Sequence, residues 1–130
     1  MNADNGYRMP AEWAPQERIW MAFPCAGYSL GDTEEARHEA RSTWAAVAHA
    51  VAEFEPVTMI VHPQDRAVAS RYLSAAVDVL EAPINDAWMR DIGPTFVLNE
   101  LGQVGGVDWT FNGWGANAWA TWENDREIAK

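Results

Sequence analysis

The chain has 130 residues, 48% of them hydrophobic, which suits a single globular domain or part of a larger one. Its formal charge of −10 argues against nucleic acid and anionic membrane surfaces as partners and favours cationic small molecules. The lone cysteine, Cys25, excludes an internal disulfide and fits a reducing cytoplasm; no leader-type segment is visible, and no apolar run approaches the ~18 residues of a membrane helix.

Residues 1–12 are polar, carry Gly6 and Pro10, and read as a loose arm. Residues 18–23 are short and apolar-rich and stop at Pro24, as a buried strand would. Residues 27–33 read as a loop, with Asp32 placed to cap a helix and Glu35 in the capping-box position. Ala36, Ala40, Trp44, Val47, Val51 and Phe54 then recur at helical spacing, predicting one apolar face of about five turns that Pro56 ends. Residues 57–61 are a β-branched apolar run, a second buried strand. Pro63 suits a helix start, followed by a short helix through Ala67, Val68, Tyr72 and Leu73. Residues 77–80 read as a third strand, 95–98 as a fourth, Asn99-Glu100-Leu101-Gly102 as a hairpin turn, and 104–111 as the return strand. Something helical begins at Glu123. Alternating strands and helices place the chain in the α/β class.

The most informative run is Asn85-Asp86-Ala87-Trp88-Met89-Arg90-Asp91-Ile92-Gly93-Pro94. It follows a predicted buried strand, where α/β proteins gather their ligand sites. Buried charge must be paired, so a loop at the mouth of a pocket is its cheaper home. A planar cation fits such a loop: a carboxylate accepts two parallel N–H bonds from a guanidinium, and an indole face attracts positive charge. The plainer reading is a surface ion pair, Arg90 with Asp86 or Asp91, beside an inward-packed Trp88. Phe111-Asn112-Gly113-Trp114-Gly115 is a second constellation, either a tight turn with a packed indole or a second wall of the same pocket. Trp109, Trp114, Trp119 and Trp122 read as a dense aromatic core, or more sharply as a binding platform.

Cys25 has no basic neighbour in sequence and reads as a passive buried thiol. His38, His49 and His62 read as solvent-facing or capping residues, with no spacing that suggests zinc.

The loop Asp86-Ala87-Trp88-Met89-Arg90-Asp91-Ile92-Gly93-Pro94 resembles the Trp-x-Arg-Asp-x-Gly-Pro signature of the agmatine deiminase family, also called porphyromonas-type peptidylarginine deiminases. Met9-Pro10-Ala11-Glu12-Trp13 with Glu17-Arg18-Ile19-Trp20-Met21-Ala22-Phe23-Pro24 is similar to that family's N-terminal segment, and 108–115 to its Phe-Asn-x-Trp-Gly stretch. The resemblance implies a five-bladed α/β-propeller of the guanidino-group-modifying, pentein type. Residues 1–130 would be the N-terminal portion of one deiminase domain. It implies hydrolysis of a guanidinium to a ureido group with loss of ammonia, with agmatine giving N-carbamoylputrescine on the way to putrescine, and no metal or organic cofactor.

Carried over by that resemblance, Asp91 is the first choice for the carboxylate that grips the guanidinium and Trp88 for the aromatic wall. Asp86 and Arg90 shape the loop, and Asn112, Trp114 and Gly115 line or brace the pocket. The family's nucleophilic cysteine and its general acid/base histidine are expected beyond Lys130, so Cys25 inherits no role and the chain alone is expected to be inactive. Two alternatives stay open: a deiminase of peptide arginine, and a non-catalytic fragment that binds guanidino ligands or is only structural. The expected partner is a cationic guanidino small molecule, with self-association of the chain through its late tryptophans.

Overall fold

A run of five buried residues, Val57–Val61, forms the centre of the fold as strand β2. Strand β1 (Ile19–Ala22) lies on one side of it and β3 (Val77–Glu81) on the other, both parallel to it, in the order β1-β2-β3. The register pairs Met21 with Met59 and Met59 with Val79. The computed structural model describes residues 6–25 and 27–130.

Alternation along the strands divides the apolar residues between two clusters. Val57, Met59, Val61, Val77 and Phe23 face one way, against Ala48 and Ala69. Ala22 and Ile60 face the other, against Ile84 and Ile92. Helix α2 (Glu34–Ala52) covers the first face. Its N-cap is Thr33, whose hydroxyl accepts from the Ala36 N–H at 3.1 Å, so the expected Asp32 cap is displaced by one residue. Its buried positions are Ala45 and Ala48, whereas Val47 and Phe54 are exposed, Phe54 at 87%. The predicted stripe holds in part, since Val51 packs on the core, but alanines let the helix lie close on the sheet, the bulkier Val47 falls on the outer side, and Phe54 lies beyond the helix end.

Pro63–Asp65 forms a 3-10 turn running into a one-turn helix, α3 (Arg66–Ala69), shorter than the predicted second helix. Part of the expected 27–33 loop is also helical, one turn termed α1 (Gly27–Leu30). A separate antiparallel hairpin joins β4 (Thr95–Leu98) to β5 (Val104–Val107). Its return strand stops four residues earlier than expected. The supposed loose arm is tied to this hairpin, because Arg8 exchanges two 2.9 Å backbone hydrogen bonds with Leu98; residues 1–5 lie outside the described residues. The segment expected to turn helical at Glu123 makes one 3-10 turn, Asp125–Glu127. Among the described residues the sheets do not close on themselves, and no helix is long and apolar enough to cross a membrane.

Candidate functional site

The acidic-aromatic run leaves the carboxyl end of β3, where a parallel sheet presents its loops to ligands. Ile84 and Ile92, both 2% exposed, anchor it by packing with Ala22 and Ile60 near the carboxyl ends of β1 and β2. The run is thus packed against the sheet at two points. Asp86 is buried at 5% exposure; its Oδ1 accepts from the Ala87 N–H at 2.7 Å and from the Ser29 hydroxyl on α1. Those bonds offset the desolvation of the carboxylate and fold the chain inward at this point.

Trp88 follows, half-exposed at 43%, with its ring meeting the Trp44 ring of α2 nearly edge-on at 5.5 Å and 69°. The chain then makes one helical turn, α4 (Met89–Ile92), closed by the Gly93 N–H on the Met89 carbonyl at 2.9 Å. A Cβ at Gly93 would stand 2.8 Å from that carbonyl oxygen, which explains a glycine before Pro94. Asp91 lies on α4, exposed, and its carboxylate makes no hydrogen bond or ion pair among the described residues. Arg90 does not pair with Asp86 or Asp91; its guanidinium reaches Glu12, 78 positions away, at 2.9 Å. The acid of the Arg-Asp pair is thus left available to a cation from outside.

The second constellation is a left-handed turn. Gly113, Trp114, Gly115 and Ala116 all have positive φ, at 62°, 56°, 96° and 56°. Asn112 accepts from the Gly115 N–H through its side chain at 2.9 Å and from the Ala116 N–H through its carbonyl at 2.7 Å. Left-handed backbone costs a residue with a Cβ about 1–2 kcal/mol, and strain of this kind concentrates at functional sites. Trp114 stacks on Trp119 at 5.6 Å and meets Phe111 edge-on at 5.1 Å. Phe111 packs against the Ile84–Ile92 cluster, so both segments rest on one apolar base.

The late tryptophans do not form a dense core. Trp109 is 61% exposed and Trp119 62%. A cavity of about 450 Å³ lies elsewhere, between Cys25, Leu30, Gly31, Arg37 and Arg41, and none of the seven expected residues lines it. Cys25 is half-buried rather than buried and donates to the Ile84 carbonyl at 3.5 Å. The histidines serve structure: His38 meets the Tyr72 hydroxyl at 3.0 Å, and His49 accepts from the Ser74 N–H at 3.0 Å. His62 accepts from the Gln64 N–H at 3.2 Å, as a cap.

Sequence reasoning missed Asp125. It is fully buried, and its Oδ1 accepts from the backbone N–H of Asn85 at 2.6 Å and of Asp86 at 3.3 Å. Burial pushes its carboxyl up from 3.8 to about 6; the two backbone donors pull it back, and the nearby Asp86 charge adds to the rise. A signal was present: Trp122, Asp125 and Ile128 recur every third residue, so the acid shares an inward face with two apolar side chains.

An exposed carboxylate with no side-chain partner and a half-exposed indole thus stand just beyond the carboxyl end of β3 in an α/β sheet. The chain belongs to the Porphyromonas-type peptidyl-arginine deiminase family, whose model matches residues 8–130. A Streptomyces coelicolor protein provisionally named an agmatine deiminase is 54% identical over 124 residues, 95% of this chain and 36% of that one. The agmatine deiminase of Stutzerimonas stutzeri is 43% identical, over 97% of this chain and 34% of its own length. Among solved structures, the agmatine deiminase of Enterococcus faecalis superposes with a TM-score of 0.83 at 36% identity, covering 95% of this chain and 34% of that one. The chain therefore spans about a third of the length of the relatives it matches.

Proposed function

We propose that this chain supplies the guanidinium-gripping part of a deiminase site that hydrolyses agmatine to N-carbamoylputrescine and ammonia, a step toward putrescine in the cytoplasm. The two sheets would be contributions to a five-bladed propeller. The observation that carries this reading is the Asp91 carboxylate, exposed and unpaired one turn from the half-open face of Trp88. The relatives named agmatine deiminase favour a small free guanidine as substrate.

The chemistry explains why such a grip matters. A guanidinium carbon is a poor electrophile because its charge is spread over three nitrogens. Carboxylates that hold the nitrogens fix its orientation for attack by a thiolate, an imidazole protonates the departing ammonia, and water releases the ureido product. In this reading the thiolate and imidazole come from the two thirds of the relatives that this chain does not span. Asp91 and Trp88 hold the guanidinium, Asp86 and Arg90 shape the loop, and Asn112, Trp114 and Gly115 brace the second wall.

Calorimetry with agmatine and with a benzoylated arginine ester, on the wild type and Asp91→Asn, tests the reading. A charge-assisted pair contributes about 1.5–3 kcal/mol, so the variant should bind agmatine about tenfold more weakly or worse. Equal affinity in both proteins would overturn the role of Asp91. Tighter binding of the ester would move the substrate to peptide arginine.

A further inference from the structure

The loop that carries the grip is not held by its own residues alone. Three hydrogen bonds join it to the last ten residues of the chain. Asp125 Oδ1 accepts from Asn85 N–H and Asp86 N–H, and Asn85 Oδ1 accepts in return from Asn124 N–H at 2.7 Å. The partners lie 39 or 40 positions apart in sequence. Asp125 is fully buried, and its Oδ2 has no hydrogen-bond partner. Two apolar contacts flank the clamp: Ile128 packs on the Ile84–Ile92 cluster, and the Trp122 ring lies so close to Gly113 that a Cβ there would stand 2.3 Å from it.

A buried carboxyl with no countercharge is a costly way to secure a tail. Its hydrogen bonds go to the two backbone N–H groups just before Ala87 and Trp88, and the same short segment touches the left-handed turn at Gly113. The stretch 122–128 therefore touches both walls, Asp125 the first and Trp122 the second. The geometry points to Asp125 as a positioning residue for guanidinium recognition: through Asn85 and Asp86 it fixes where Trp88 and Asp91 stand relative to the Trp114 turn. This deepens the guanidinium reading and rests on it for the ligand, but the clamp itself can be measured without one.

The test uses the 130-residue chain with Asp125→Ala, Asp125→Asn and Asn85→Ala. Asparagine keeps an oxygen able to accept both N–H bonds without a buried charge; alanine leaves both donors bare. Amide exchange at Asn85 and Asp86, with Met59 to Val61 of β2 as internal standard, should show selective loss of protection in Asp125→Ala. Protection should return in Asp125→Asn. Agmatine binding should weaken at least tenfold in Asp125→Ala and stay within twofold of wild type in Asp125→Asn. If Asp125→Ala loses β2 protection as well, Asn85→Ala decides. It removes only the acceptor for Asn124, and should raise exchange at Asn85 and Asp86 while β2 stays protected. Unchanged protection or unchanged binding in Asp125→Ala, or no rescue by asparagine, overturns the assignment. If the wild type binds no agmatine, the guanidinium reading fails and the ligand role of Asp125 with it, while the exchange data still decide whether the clamp exists.

Discussion

Replacing Asp125 by Asn should make the fold more tolerant of alkaline pH, by an amount the structure sets. Burial raises this carboxyl from 3.8 to about 6, so the folded state prefers it neutral. For an acid raised on folding, the favourable contribution is complete below the unfolded value and is lost as the pH climbs through the folded one. At about 1.36 kcal/mol per pH unit, the difference between 3.8 and about 6 corresponds to about 3 kcal/mol, roughly half of it already lost at pH 5. Between pH 4.5 and pH 8 the wild type should therefore lose about 2 kcal/mol of stability that Asp125→Asn does not lose. Urea denaturation of both proteins at the two pH values, followed by tryptophan fluorescence, measures the difference. The other carboxylates are common to the pair and cancel, apart from the contribution of Asp86, whose charge acts on Asp125. A carbon-13 titration of the Asp125 carboxyl gives the midpoint directly. Parallel pH profiles for the two proteins, or a titration midpoint near 4, would refute the reasoning.

At Ala116 the backbone has a φ of 56°, where glycine is at ease, so Ala116→Gly should raise stability by about 0.5–1 kcal/mol, read as a higher urea midpoint. At Gly113 an added methyl collides with the Trp122 ring at 2.3 Å, and Gly113→Ala should lower stability by about 2 kcal/mol or more in the same assay. With Trp109, Trp119 and Val104 each more than 60% exposed, the chain should associate as its concentration rises; a monodisperse monomer in light scattering at every concentration would contradict this. Steady ammonia release from agmatine should be absent with the 130-residue chain, because Cys25 borders a cavity that none of the grip residues lines; sustained turnover would overturn that expectation.

What could be read from the sequence was local and periodic. The β-branched run at 57–61 could be buried on both faces only as a central strand, and Asn99-Glu100-Leu101-Gly102 could only reverse the chain. The position of Asp91 and Trp88 after a strand was equally legible, because a strand's direction and the loop that follows it are both written in adjacent residues. The helix face was not. Alanine is compatible with either side of α2, so spacing alone favoured Val47 and Phe54, and contact with the sheet selected Ala45 and Ala48.

The sequence by itself determined the α/β class and the strand positions, since each depends on neighbours within a few positions. Only the tertiary structure decided which acid is free and which is fastened. Arg90 pairs with Glu12 across 78 positions, Asp125 reaches Asn85 across 40, and Asp86 takes the Ser29 hydroxyl across 57. A charged side chain's role is set by what it meets in space, and partners so distant in sequence leave no periodic trace along the chain.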